Sequence, residues 1–529
     1  MKKILLMITA AASLTAAAQT VSGVDYEDGM FLLNEGAYGH VHGFMYFRSS
    51  DGTMVYRAPE VENGNSTQLG VTSQFGTVYG GKVYACAKQA AYSNEEYGAR
   101  VTVLNASTLK IEKELKTLPG NVDARAIMLT DDAAYISTSG GILVYDPTLS
   151  DYRATIGDAE YSTMIYAGGK VFANEFMGNL AIINPADNSI ESTIEGTFGT
   201  IVMSHDGNIW ASVADANKLV KVNPYTLASE EVPVEAGVAI NKYSWCTDGF
   251  VASCNENKLY WKSVDGWENQ GIYCYDIDNG TQTKLIDMTG DGYTFYDGGV
   301  GVHPVTDNIC SMMNQTSWGK KSAYREWNKA GELLADEELP ASIEVNGETF
   351  STENPFPAQV FFADRYSPEF DVAALGSVAA GETVTYRLTD IVSDADNQDA
   401  AIEVKAESTG SIKANIAEGY LYVEGTSEGE GSLTLVANSN GRKAQTTIQY
   451  QTTGVADVET LPMEVNVQNG GIEVRSASAG MVQVCDAQGR IVAAAQVDAY
   501  RTHRVAEGLT VGVYVVRCNR HNVKVIVNY

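Results

Sequence analysis

The chain repeats one phrase seven times: a few β-prone residues, an Asn or Asp in a turn, then a second strand. It reads GFMYFRSSDGTMVY from Gly43, RVTVLNASTLKIEKEL from Arg100, GILVYDPTLSDYRATI from Gly141, NLAIINPADNSIESTI from Asn179, KLVKVNPYTLASEEVPV from Lys218, GIYCYDIDNGTQTKLIDM from Gly271 and SAYREWNKAGELLADEEL from Ser322. The residues before the turns (Phe47, Leu104, Tyr145, Ile183, Val222, Tyr275 and Trp327) are spaced by 57, 41, 38, 39, 53 and 52 positions. Such steps match one four-stranded propeller blade with its loops. A short apolar strand opened by Gly or Asp precedes each phrase, as in GMFLLNEGAYG at Gly29, GGKVYACAKQ at Gly80, DDAAYISTSG at Asp131, GGKVFANEF at Gly168, DGNIWASVA at Asp206, DGFVASCNE at Asp248 and GVGVHPVTDNICSMM at Gly299. Each unit then reads as an inner strand followed by a hairpin. No window carries the i, i+3, i+4, i+7 apolar stripe of a helix. The expected fold class is all-β: a seven-bladed β-propeller over residues 25–365, then a β-sandwich module and a small C-terminal β-sandwich. A blade buries its faces only against its neighbours, so the ring must close, and PAQVFFADRY from Pro357 is the strand expected to pair with the N-terminal blade.

At 529 residues the chain is too long for one domain. Residues 1–18 read as a signal peptide: Lys2 and Lys3, the apolar run Ile4 to Leu14, and Ala16-Ala17-Ala18 before Gln19. No Cys stands there for a lipid anchor, and no other stretch approaches the ~20 consecutive apolar residues of a membrane helix. The expectation is a mature chain without a transmembrane segment, exported to the cell surface or medium. A net charge of -30 with no basic stripe excludes nucleic acid as a partner. The seven cysteines are Cys86, Cys246, Cys254, Cys274, Cys310, Cys485 and Cys518. None is spaced CxxC as for structural zinc. Two readings stay open: buried thiols acting as small hydrophobes, and a Cys485–Cys518 bridge.

From residue 366 to 453 period-2 alternation, such as Val384, Tyr386 and Leu388 against Thr383, Thr385 and Arg387, predicts a sandwich that looks like an immunoglobulin or cadherin module. TTGVADVETLP from Thr452 reads as a linker to a unit at 463–529. There GMVQVCDAQGRIVAAA and GLTVGVYVVRCNRHNVKVIVNY resemble the C-terminal sorting domain of the type IX secretion system of Bacteroidetes, through Asp486, Gly489 and Arg490 in a hairpin, Gly512 to Arg517 with Tyr514 in the next strand, and Lys524. LPMEVNVQNGG departs from the Pro-Asn-Pro-like opening of that family. The resemblance implies secretion machinery as a partner. The propeller resembles the YncE-like seven-bladed propellers of Bacteroidetes surfaces, through GMFLLNEGAYG, Asn63-Gly64 before Leu69-Gly70, GGKVYACAKQ, the Arg125 region and IYAGGKVFANE. That family includes surface proteins that capture corrinoids for outer-membrane transport, so the resemblance implies binding and names no ligand.

No G-x-S-x-G elbow, P-loop or dinucleotide glycine fingerprint is present. His40 and His42 share a strand face, but no third metal ligand follows by spacing. Asp390, Asp394, Asp396, Asn397 and Asp399 in DIVSDADNQD form an oxygen-rich cluster of the kind calcium uses, the one cofactor the sequence suggests; its rival is a plain acidic turn. A weaker group is Asp287, Asp291 and Asp297. Aromatics in the stretched fifth and sixth repeats are the clearer pointer. Tyr243, Trp245, Trp261, Trp267, Tyr293, Phe295, Tyr296 and Trp318, with Tyr92 and Tyr97 from another blade, are positioned in sequence to stack on a flat ligand, while the alternative is packing between blades. The functional expectation is an exported, non-enzymatic binding protein whose propeller face captures a small molecule such as a corrinoid, or a glycan. The alternatives are a propeller lyase or hydrolase with carboxylates in the central channel, and an adhesion protein.

Overall fold

Among the described residues between 29 and 362, Gly turns alternating with β-branched and aromatic runs give seven antiparallel sheets of four strands, the last with its first strand split in two. A computed structural model describes residues 23–528 apart from 37, 39–40, 91–97, 214–215, 236–248, 266–267, 297, 317–319, 354–355, 376, 454–462, 469, 477 and 519–520. Blade two shows the pattern: Val71–Tyr79, Lys82–Gln89, Val101–Asn105 and Ile111–Leu115 pair in that order. The first strands of the other blades are Ala124–Leu129, Tyr161–Ala167, Phe198–Met203, Phe250–Ala252, the pair Tyr293–Thr294 and Val300–Val302, and Pro357–Phe362. Each packs against the first strand of the next blade, and the last returns to blade two, so the ring is closed.

Closure uses the expected strand. Pro357–Phe362 pairs antiparallel with Gly29–Asn34, placing Phe361 opposite Phe31 with their rings stacked 5.0 Å apart. A Cβ at Gly76 of blade two would stand 2.3 Å from that Phe361 ring, so the seam is packed on both sides. Blade one ends in a two-residue outer strand, Met54–Val55, because Arg57 turns left-handed (φ 48°) into the six-residue helix Ala58–Asn63. The hairpin of Ser342–Val345 and Glu348–Ser351 covers that edge: the Arg57 guanidinium lies between the Phe44 and Phe350 rings and pairs with the buried Glu60 carboxylate at 2.6 Å.

The strand order corrects one expectation. GGKVYACAKQ, DDAAYISTSG, GGKVFANEF and DGNIWASVA hold second strands, and the innermost strand lies upstream of each. DGFVASCNE is instead the first strand of blade six, whose second strand is Lys258–Asp265. The innermost strands carry a bulge, with register shifts at Ser73/Phe75, Ala124/Ile127, Tyr161/Met164 and Phe198/Ile201, which breaks the period-2 pattern that marks a strand. A polar side chain on the second strand satisfies the backbone there. Ser137 Oγ accepts from Ala126 N–H at 2.9 Å, Asn174 Nδ2 donates to Gly199 C=O, and Ser212 Oγ donates to Thr200 C=O at 3.3 Å.

Residues 366–453 form two three-stranded sheets around Leu421, Val423, Leu433 and Leu435. The C-terminal unit stacks Met463–Gln468, Gly471–Ser476 and Thr502–Ala506 on Gly480–Cys485, Ile491–Val497, Gly512–Cys518 and His521–Val527. No Cys485–Cys518 bridge forms. Cys485 faces Val515 and Cys518 faces Val482 on the paired strand, an offset of about 10 Å at three residues of strand rise and beyond disulfide reach. Both thiols are buried.

The sandwich seats on the propeller face made by the turns between first and second strands. Gly80 N–H donates to Asn440 C=O at 2.9 Å, Lys443 pairs with Asp131 at 2.8 Å, and Gln398 Nε2 donates to Ser253 C=O at 2.5 Å. Arg442 reaches Glu27 Oε1 at 2.8 Å and Asp364 C=O at 2.6 Å, joining the entry of the N-terminal strand to the exit of the closing strand. Burial, reinforced by Asp131, pushes the Glu403 carboxyl up to about 7, with Lys405 offsetting part.

Two outcomes are expected. Phe361→Ala removes the seam aromatic and should cost about 3–5 kcal/mol in urea unfolding followed by intrinsic fluorescence. Glu403 binds a proton in the folded chain that it lacks unfolded between its ordinary range and about 7, so its contribution to stability falls as pH rises through that window. Calorimetry should show a higher unfolding midpoint at pH 5.5 than at pH 8, and a smaller difference in Glu403→Gln.

Candidate functional site

With the sandwich on one face, the opposite mouth of the ring is where first strands begin and second strands end. The bulges raise polar side chains there. Glu35 follows the second strand of blade one, Gln74 and Arg125 sit in bulges, Lys88 is next to last in the second strand of blade two, Glu160 precedes the first strand of blade four, and Tyr296 lies between the two halves of the first strand of blade seven. Glu35 Oε2 accepts from the Tyr296 hydroxyl at 2.8 Å and from Gln74 Nε2 at 3.3 Å. Burial holds its carboxyl above the usual range, partly offset by those two hydrogen bonds and by Lys88. Arg125, 3% exposed, pairs with Glu160 at 2.5 Å and lies 3.9 Å from Asp123. Burial and the neighbouring Arg125 lower the Lys88 pKa, against the pull of Asp123, Glu160 and Glu35. The Tyr296 ring packs edge-on against Phe356 at 5.3 Å, and Tyr38 is 66% exposed two residues beyond Gly36. The arrangement sets cationic donors, carboxylates, an amide and aromatic rings around one opening, which suits a ligand rich in hydroxyls or amides.

The aromatics singled out in sequence divide. Trp261 is not a surface group: it is fully buried between blades, stacked on Tyr273 at 6.1 Å and tilted against Phe250. Phe295 is buried in the core cluster of blades six and seven. Tyr293 lies on the same side as the mouth but further out, its hydroxyl on Glu338 at 2.8 Å and its ring over Arg325. Among the described members of this group, Tyr296 is the one that touches the polar cluster. Tyr92, Tyr97, Tyr243, Trp245, Trp267 and Trp318 lie outside the described residues, as do His40 and Asp297. Glu35, Gln74, Lys88 and Glu160 were missed. The signal available was a Gln or Arg inside an otherwise apolar strand.

The acidic cluster of the sandwich binds backbone and propeller. Asp394 Oδ1 accepts from Asp396 N–H at 3.1 Å, Asp399 Oδ1 from Asp394 N–H at 2.8 Å, and Asp396 Oδ2 from Arg365 N–H at 2.7 Å. Asp390 closes a short 3-10 turn. Asp287 is taken by Lys284 and Thr289, and Asp291 by Arg325. Among the described residues no group of three or more His, Cys, Asp or Glu side chains is placed to hold a metal ion. A polar cavity of about 400 Å³ on the sandwich side is lined by His205, Glu256, Lys258, Asp276 and Asp278, with Glu256 paired to Lys258 and Lys329.

In the C-terminal unit Asp486 Oδ1 accepts from the Gln488 and Arg490 amides and its Oδ2 from Arg490 Nε, and Gly489 adopts φ 77° to make that hairpin. Tyr514 is buried with its hydroxyl on Thr510 C=O, Gly512 opens the strand, and Lys524 faces outward opposite Val515.

Residues 28–362 match the family model described as a domain of unknown function, DUF5074. No curated protein matches the chain. Among solved structures it is similar to a quinoprotein alcohol dehydrogenase-like protein from Bacteroides thetaiotaomicron, with 17% identity over 64% of this chain and 79% of that one and a TM-score of 0.51. A 6-phosphogluconolactonase-like protein from Bacteroides uniformis follows at 12% identity over 63% and 99% of the two chains and a TM-score of 0.43. At these identities the likeness is one of fold.

Proposed function

The chain belongs to the DUF5074 family, and from that premise we propose that it is an exported, non-enzymatic binding protein that captures a small hydroxyl- or amide-rich ligand at the open mouth of its propeller. One observation carries this reading. The sandwich occupies the face of the ring that bears Gly80, Asp131 and Ser253, while Glu35, Gln74, Lys88, Arg125, Glu160 and Tyr296 gather at the other. Corrinoids, with their ring of amide side chains, and glycans both fit that chemistry, and the resemblance to YncE-like surface propellers favours the same two classes. The immunoglobulin-like module then serves as the base on which the propeller stands. The type IX sorting resemblance of residues 463–529 supports delivery to the cell surface or medium by secretion machinery, and no helix among the described residues is long and apolar enough to cross a membrane. The protonation-prone Glu35 beside Tyr296 also favours a second reading, a propeller lyase or hydrolase with Glu35 as acid.

Calorimetric titration of the mature chain with cyanocobalamin and with neutral oligosaccharides should give binding to one class. Arg125→Ala and Glu35→Gln should weaken it about tenfold or more, as for polar anchors at a site centre. Silence with both classes sinks the small-ligand reading and leaves a protein partner; chemical turnover of the bound ligand moves the assignment to the enzyme. Deleting residues 463–529 should remove the protein from the cell surface in fractionation, and unchanged surface exposure would end the sorting assignment.

A further inference from the structure

The sandwich module has two outward faces, built differently. On the sheet of Glu403–Gly410, Gly429–Ser439 and Arg442–Thr452 the outward rungs are Glu407, Thr434 and Thr447, then Thr409, Ser432 and Gln449. Their hydroxyls bond to one another, Thr409 to Ser432 at 2.7 Å and Thr434 to Thr447 at 3.0 Å, so that face is satisfied within itself. On the sheet of Thr383–Arg387, Ile412–Ala417 and Tyr420–Gly425 the outward rungs are Thr385, Tyr422 and Asn415, then Arg387, Tyr420 and Ala417. Tyr420 and Tyr422 stand two apart on the central strand and therefore on one face. The residues between and beyond them, Leu421 and Val423, point inward and are fully buried.

The two rings lie 6.5 Å apart with planes inclined at 52°, and Tyr420 is 41% exposed. Tyr suits a strand, which accounts for one outward ring. Two adjacent rings in the middle of a sheet, flanked on their rungs by Asn415, Thr385 and Arg387, form a platform instead. An aromatic face with polar neighbours matches a ligand that is apolar on its flat side and hydroxylated at its edge, which is the chemistry of a pyranose. The ring spacing is on the scale of one sugar unit. The tilt between the rings fits a soluble chain that turns from one residue to the next, and disfavours a flat crystalline surface. Arg387 and Lys413 against Glu424 leave the face near neutral on a chain of net charge -30, which suits an uncharged polymer. The platform continues to the propeller: Gly419 lies against Tyr225, and Arg387 is within electrostatic reach of that tyrosine.

We propose that this face of the sandwich binds a neutral soluble polysaccharide, one sugar ring stacked on Tyr420 and the next on Tyr422, with hydroxyls met by Asn415, Thr385 and Arg387. The site is separate from the propeller mouth. Native electrophoresis of the mature chain through gels containing a soluble β-glucan, a xylan or a starch tests it. Retardation is expected in at least one gel, with about tenfold weaker binding in Tyr420→Ala and in Tyr422→Ala, the size of loss that marks an aromatic anchor. Tyr420→Phe and Tyr422→Phe keep the ring and should keep the retardation. Both side chains point outward, so thermal melts of the Ala variants should match the parent. Free migration in all three gels overturns the proposal, as does equal retardation of the Tyr420→Ala/Tyr422→Ala double variant. Retardation lost in Arg125→Ala but kept in that double variant would place the glycan at the propeller mouth and likewise overturn it.

Discussion

Everything in the propeller rests on one non-covalent seam. Seven sheets bury their faces only against one another, so an open ring would leave two blades half exposed. The chain avoids this by completing blade one with its own last strand, Pro357–Phe362, placed innermost beside Gly29–Asn34. The stacked Phe31 and Phe361 rings and the close approach of Gly76 pack the seam from both sides. Charged, alternating outer strands such as Ile111–Leu115 then keep the rim from pairing with other chains.

The same seam explains where the sandwich sits. The closing strand leaves the ring at Asp364 on the face of the turns between first and second strands, so the module that follows is delivered to that face. Arg442 binds Glu27 and Asp364 together, and Arg365 pairs with Asp28 at 2.9 Å. Seating the sandwich and closing the ring thus share residues. That face is occupied, the described polar side chains raised by the bulges of the innermost strands lie at the opposite mouth, and the ligand reading follows from this division of faces.

Much of the architecture could be read from residues. The turn phrase is local and repeated, so strand, turn and blade count follow from it, and the strand that closes the ring was visible as PAQVFFADRY. The innermost strands of blades two to five were not, because their bulges interrupt alternation, as at Gln74 and Arg125, and a shifted strand looks like a loop. The site was legible in smaller part. Aromatic-rich inserts drew attention to Trp261, which tertiary packing takes into the core, whereas Glu35, Lys88 and Glu160 come from three different blades and have no signature until the ring brings them together. The acidic run from Asp390 to Asp399 has the composition of a calcium loop, and in the fold one oxygen each of Asp394, Asp396 and Asp399 accepts from a backbone amide.

The seam has a mechanical meaning as well. The sandwich and the C-terminal unit are joined to the ring covalently only through the residues after Phe362, so tension pulling on the C-terminal part enters the propeller at its closing strand. That strand is held by hydrogen bonds along its length to Gly29–Asn34, so they would act together against tension directed along its axis. The bonds share the load in shear and are not peeled one by one, and Arg442 ties the loaded end to the neighbouring strand. A ring fastened in this way resists force where its chain leaves it.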